Sequence, residues 1–143
     1  MHIQRLLILS GEELADAGEL PPGVRALVDD AASVFVVAPT TPSRLHWLYS
    51  DVDGDRQLAS ERLERLIDTL DAVGVSADGE VGADMPSLAM GDAIRRVRPD
   101  HILCLVHRSS HRAWQLIERT EREFGVPVTV FELDAEGHAS TPA

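Results

Sequence analysis

The stretch PDHILCLVHRSSHRAWQLIERTEREFGVPVTVFEL, residues 99–133, decides the fold of this chain. It contains two short apolar runs, residues 102–106 and 126–133, which are typical of strands buried on both faces of a sheet. A polar loop and an amphipathic helix separate the two runs, and a connection of this length joins parallel strands. The loop, residues 107–112, begins where the first strand ends. Ligands of open parallel sheets bind at such carboxyl ends, so we expect any site to lie here.

The rest of the chain shows the same alternation of strands and helices. Apolar runs predict strands over residues 4–10, 33–38 and, with a weaker pattern, 75–81. Apolar residues at three- and four-residue spacing predict helices over residues 22–32 and 56–73, and a third helix that follows its expected N-cap, Asp84, and is ended by Pro99. The resulting order βαβαβαβαβ predicts one α/β domain, residues 1–134, with a parallel sheet covered on both faces. Residues 135–143 are small and polar, and we expect a flexible tail there.

Composition and charge exclude several classes of function. The 143 residues carry a net charge of −11, which disfavours nucleic acid and anionic membranes because affinity for them comes from neutralising phosphates. No apolar run approaches the ~20 residues that span a bilayer. The apolar start, residues 6–9, is too short for a secretion signal, so we expect a cytoplasmic protein. The single cysteine, Cys104, excludes an internal disulfide and is interpreted as a packing residue.

The loop after the predicted fourth strand has two interpretations. Ser109 or Ser110 can cap the following helix, whose first amides form an anion site in principle. Arg108 and Arg112 add positive charge in an otherwise acidic chain, which favours a phosphate or carboxylate ligand. The alternative is a simple helix cap flanked by solvated arginines, and we prefer it because every helix has such a terminus.

A metal site is disfavoured in this region. Cys104, His107 and His111 invite that interpretation, and the two histidines are four residues apart, as on one face of a helix. Strand alternation, however, sends Cys104 and His107 to opposite faces of the sheet. We therefore assign no metal ligand.

The acidic run at residues 51–55 resembles the start of a calcium loop. Such a loop needs glycine at its sixth position and glutamate at its twelfth, where this chain has Arg56 and Arg62. A turn and helix cap explains these acids better.

No catalytic residue is assigned. Ser10, Ser109 and Ser110 fall near His107, but no nucleophile-elbow pattern surrounds them. Trp47 and Tyr49 lie in a long connection, where they either cover a ligand or partner surface or simply pack beneath the loop.

Three stretches resemble one known family. They are GADMP at residues 82–86, AIRRVRPDHILCLVH at 93–107 and FGVPVTVFEL at 124–133, and together they resemble the universal stress proteins over nearly the whole chain. The resemblance implies a three-layer α/β/α sandwich with a five-stranded parallel sheet of order 3-2-1-4-5. It also implies a homodimer through the last strand, residues 126–133, which would otherwise be an open apolar edge.

The departures from that family bear on ligand binding. Its nucleotide-binding members carry a glycine-rich element after the fourth strand and an aspartate at the end of the first. Here no glycine occurs between His107 and Phe124, and Ser10 stands at the aspartate position. We therefore expect a divergent subgroup that lacks the glycine-rich ATP motif and binds no cofactor, with ATP and AMP disfavoured.

The predicted function follows from this balance. We expect a non-catalytic, dimeric universal-stress-like protein with a stress or regulatory role. The alternatives are an atypical nucleotide-binding or nucleotide-hydrolysing member and a pure interaction module. A small anionic ligand, if one binds, should lie between strands one and four. The residues expected to contact it are Ser10, Gly11, His107, Arg108, Ser109 and Ser110.

Overall fold

The computed structural model describes residues 3–10, 22–39, 52–82, 86–107, 111–133 and 139–140. Helices and strands alternate along the chain, as the sequence predicts. In chain order the elements are β1 (Ile3–Ser10), α1 (Pro22–Asp30), β2 (Ala31–Pro39), α2 (Val52–Ala72), β3 (Ala77–Gly82), α3 (Pro86–Val97), β4 (His101–His107), α4 (His111–Phe124), β5 (Val128–Leu133) and β6 (Ala139–Ser140).

The sheet confirms the predicted topology. Five strands run parallel in the order β3-β2-β1-β4-β5, and the short β6 adds to β5 in the antiparallel direction. The chain moves outward from β1 to β3 on one side and from β4 to β5 on the other. The order of the strands therefore reverses between β1 and β4, which defines the switch point of the sheet.

Helices cover both faces of the sheet, because β1 alternates its side chains between two apolar clusters. Leu6 and Ile8 pack with residues of α1 and α2 on one face, and Leu7 and Leu9 pack with residues of α3 and α4 on the other. All four are nearly inaccessible to solvent, and each such burial contributes about 1.5–3 kcal/mol. No helix among the described residues is long and apolar enough to cross a membrane.

Several element boundaries differ from the sequence prediction. Helix α2 begins at Val52 instead of residue 56, so Asp53 and Asp55 of the acidic run lie in its first turn, where carboxylates are favoured. Helix α1 ends at Asp30 because Ala31 already pairs with Ile3 in the sheet. Strand β5 begins at Val128, since Pro127 has no N–H to donate; its carbonyl accepts the Ile102 N–H at 3.0 Å.

The structure describes two residues of the predicted tail, 135–143, and the others lie outside the described residues. Ala139 and Ser140 form β6, opposite Leu133 and Glu132 of β5. An edge strand presents unpaired backbone groups, and these offer partners to a segment whose own sequence carries no strand signal.

Strand β3 is an edge strand, as its weak pattern predicted. A contact with α3 supports it: Arg96 forms an ion pair with Glu80 of β3, and its guanidinium lies 5.4 Å from the centre of the Phe35 ring. The pair with Glu80 raises the pKa of Arg96. This contact holds α3 over both β2 and β3.

Candidate functional site at the strand switch point

The predicted site begins at the carboxyl ends of β1 and β4. Ser10 is the last residue of β1 and lies opposite Leu105 of β4, so β4 continues for two residues beyond it to His107. Both positions are therefore at the switch point, where the prediction placed them. The strand register places the backbone of Ser10 and His107 at this point. Contact of either residue with a ligand stays a prediction.

Four of the predicted contacts lie outside the described residues. These are Gly11, which follows β1, and Arg108, Ser109 and Ser110, which precede α4. Helix α4 begins at His111, so Ser110 directly precedes it in the chain, as the capping interpretation requires. Trp47 and Tyr49 also lie outside the described residues.

The strands beneath the site are apolar and closely packed. Leu9, Cys104 and Leu105 are at most 3% exposed. Burial, with a smaller contribution from the negative charge of Glu121, raises the pKa of the Cys104 thiol to about 12. The thiol is therefore protonated at neutral pH and acts as a packing group, as predicted, because only the thiolate is a good nucleophile or metal ligand.

Metal-ligating side chains are not grouped in the part of the chain that the structure describes. No cluster of three or more histidine, cysteine, aspartate or glutamate residues occurs there. The acidic run that resembles a calcium loop is helical from Val52 onward, so its backbone does not form such a loop.

Helix α1 reaches across the sheet towards β5 near the site. A Cβ atom placed on Gly23, in the first turn of α1, would lie 2.5 Å from Cζ of Phe131. Phe131 is 5% exposed and lies opposite Leu105 in the sheet. The first turn of α1 thus packs on the carboxyl half of β5, and this contact needs glycine at residue 23.

Polar contacts that no sequence pattern predicted lie at the opposite, amino-terminal edge of the sheet. The carboxylate of Asp100 accepts hydrogen bonds from the N–H groups of Gln4 at 2.9 Å and Arg5 at 2.8 Å. The Ser33 hydroxyl donates to the Gln4 carbonyl at 3.1 Å. The available signal is Pro99–Asp100 immediately before a strand, although from the sequence Pro99 is predicted only to end a helix.

Comparison with known proteins supports the fold. No family model and no curated protein matches the chain. A solved structure does: a universal stress protein family protein from Arabidopsis thaliana, with AMP bound, has a TM-score of 0.57 and 14% sequence identity. The match covers 93% of this chain and 94% of that chain. At this identity the likeness concerns the fold alone, and the chain has the α/β fold of the universal stress proteins.

Proposed function

We propose that this chain is a universal-stress-like protein that acts without catalysis, as a dimer, in stress or regulatory physiology. The observation that carries the proposal is the sheet order β3-β2-β1-β4-β5 over nearly the full length of a universal stress protein structure. The switch point of this sheet lies beside Ser10 and His107, which gives a small ligand a place to bind.

Family-type ATP binding does not fit the residues at that place. Backbone approach to phosphates needs residues without a Cβ, yet the chain has no glycine between His107 and Phe124. Ser10 also offers a neutral hydroxyl where nucleotide-binding members offer a carboxylate. We therefore propose that the site binds at most a small anion, held by Arg108 and the amides that follow it.

The second candidate is an atypical nucleotide-binding protein, because the Arabidopsis neighbour was solved with AMP bound. Thermal unfolding with and without ATP, AMP or cyclic AMP, each with and without Mg²⁺, separates the two. A ligand that binds only the folded state must raise the melting temperature. If the protein binds no nucleotide, as the first candidate function requires, the melting temperature should not change. A clear shift that is lost in Arg108→Ala and kept in Arg119→Ala, an exposed arginine on α4, would establish the second.

Dimerisation through β5 is proposed from its outer edge. Strand β6 pairs only with Glu132 and Leu133, so residues 128–131 of β5 have no strand partner on that side among the described residues. Open strand edges pair readily with another chain.

Light scattering at high micromolar concentration tests the dimer, and finding only monomer would refute it. A truncation after residue 134 removes β6 and should strengthen association by lengthening the open edge. Val128→Lys, which places a charge at that edge, should weaken it, whereas Asp78→Lys on the opposite edge strand should not.

A pure interaction module would show neither a nucleotide shift nor a β5-dependent dimer, but a melting temperature that depends on protein concentration.

A further inference from the structure

Two depressions meet at the amino-terminal edge of the sheet, far from the switch point. One has a volume of about 430 Å³ and the other about 480 Å³, and both are open to solvent. Arg98 lines both of them and therefore lies where they meet. The first, which we call the α3–α4 groove, is lined by Ile94, Arg95, Arg98, Pro99, Phe124 and Val126.

The α3–α4 groove combines an apolar floor with a cationic rim. Ile94 and Pro99 are buried, and Phe124 and Val126 are half-buried, so the floor is made of aliphatic and aromatic surface. Two charged side chains line the groove, Arg95 and Arg98, and both carry a guanidinium group. This arrangement is notable in a chain whose net charge is −11.

Arg98 has an unusual backbone for its residue type. It follows α3 with a φ of +52°, and its N–H donates to the Ile94 carbonyl at 2.9 Å. After α2 and α4 the corresponding left-handed positions are occupied by glycine, Gly74 with φ +84° and Gly125 with φ +66°. In this conformation the Cβ atom lies too close to the following carbonyl oxygen, so the structure holds a guanidinium where glycine would be favoured.

The Arg98 guanidinium is available to a ligand. Within the described ranges, no residue forms an ion pair or a side-chain hydrogen bond with it. Arg95 forms only a weak ion pair with Asp92. The two charged groups are 3.6 Å apart, and both side chains are about 60% exposed to solvent. The Arg95 guanidinium also lies 5.8 Å from the centre of the Phe124 ring, at the edge of the apolar floor.

We propose that the α3–α4 groove binds an organic anion with an aliphatic or aromatic body and a single acidic group. The body covers Ile94, Phe124 and Val126, which removes apolar surface from water. The acidic group accepts charge-assisted hydrogen bonds from Arg98 and Arg95. This site is independent of the proposed function, because it lies at the opposite edge of the sheet from Ser10 and His107.

Anilinonaphthalene sulfonate, which has this chemistry and fluoresces in apolar surroundings, is a suitable probe for the full chain. Arg98→Gly is the test variant, because it removes the guanidinium and places the favoured residue at the left-handed position, so folding is preserved or improved. We expect about tenfold weaker binding, as for the loss of one charge-assisted hydrogen bond. Arg25→Ala is the matched control, since it removes the same charge from exposed α1 on the other face of the sheet.

Competition identifies the ligand class. Octanoate should displace the probe, and octanol, which has the same chain without the charge, should displace it much less. Unchanged affinity in Arg98→Gly, equal loss in Arg25→Ala, equal displacement by octanol, or no binding to the native chain would each overturn the proposal.

Discussion

Asp100 and Arg5 are hydrogen-bonded to each other in both directions at the amino-terminal edge of the sheet. The Arg5 N–H donates to Oδ1 of Asp100 at 2.8 Å, and the Asp100 N–H donates to the Arg5 carbonyl at 3.1 Å. The Arg5 guanidinium also donates to the Val97 carbonyl at 3.4 Å, near the end of α3. These contacts fix the start of β1 against the turn that joins α3 to β4, so they set the register of the two strands that form the switch point.

Replacing Asp100 should destabilise the fold. Asp100→Ala loses the acceptors for the Gln4 and Arg5 N–H groups, and we expect about 1 kcal/mol of destabilisation, since both donors are near solvent. Asp100→Asn keeps one acceptor and should lose less. Urea unfolding at neutral pH measures both, with Asp78→Ala, an exposed carboxylate on β3, as the control.

The contribution of Asp100 should depend on pH. The hydrogen bond from Gln4 lowers the pKa of Asp100 most, and the bond from Arg5 adds to this. A carboxylate whose pKa is lowered by folding stabilises above its unfolded pKa, about 3.9, and loses this effect as the pH falls through the folded value. The difference between wild type and Asp100→Asn should therefore shrink below about pH 4. A difference that stays constant would show that the charge has no part in it.

His101 should make the fold less stable in mild acid. It is half-buried in β4, and Nε2 forms a hydrogen bond of 2.7 Å with the Thr129 hydroxyl of β5. Burial lowers the pKa of His101, against the opposing effect of Asp100. The unfolded chain therefore takes up the proton first as the pH falls, and stability should decrease below about pH 6.5.

His101→Gln separates this effect from the other five histidines. Urea midpoints measured from about pH 7.5 to about pH 5.5 should fall less steeply in the variant than in the wild type. Equal slopes would mean that His101 titrates alike in the folded and unfolded chains.

The sequence predicted the features that depend on local patterns. Apolar runs predicted the strand that ends at Ser10, the core of the fourth strand over residues 102–106, and the buried, unreactive character of Cys104. The structure extends the fourth strand by one residue at each end, to His101 and His107. The missed features depend on distant partners. Asp100 meets Arg5 across 95 residues, and β6 forms only because β5 has an open edge, so neither is visible in a local window. The resemblance supplied the strand order, which periodicity alone does not give.

Substitution of alanine for two glycines, Gly79 and Gly91, should change the stability of the fold in opposite directions. A Cβ on Gly79 of β3 would lie 2.6 Å from Cδ1 of Leu63 and 2.9 Å from the Val36 carbonyl oxygen. The carbonyl belongs to the sheet and cannot move aside, so Gly79→Ala should destabilise by about 1–3 kcal/mol. On Gly91 of α3 the nearest atom is Nη1 of Arg95 at 3.4 Å, and Gly91→Ala should stabilise by about 0.5–1 kcal/mol because glycine disfavours helix interiors. Thermal unfolding of the two variants side by side measures this, and the same sign in both would contradict the packing described for β3.

Replacing Arg62 of α2 by methionine should stabilise the fold. The Nε and Nη1 atoms of Arg62 are buried and have no hydrogen-bond partner among the described residues. Buried donors without a partner cost about 1–3 kcal/mol. Methionine has a similar length and helix propensity without polar hydrogens, and we expect Arg62→Met to raise the free energy of unfolding by about 1–3 kcal/mol.

Arg56→Met provides the control for Arg62, since it removes an exposed arginine from the same helix and changes the net charge equally. It should leave the urea midpoint almost unchanged, because surface substitutions of this kind have effects within about 0.5 kcal/mol. If both variants are stabilised equally, the gain comes from net charge or helix propensity and not from the buried donors. If Arg62→Met is destabilised and Arg56→Met is not, the guanidinium has an anionic partner that compensates its burial. Adding sulfate or phosphate to the wild type would then distinguish a bound ion, which raises the melting temperature with concentration, from a carboxylate of the chain itself, which does not.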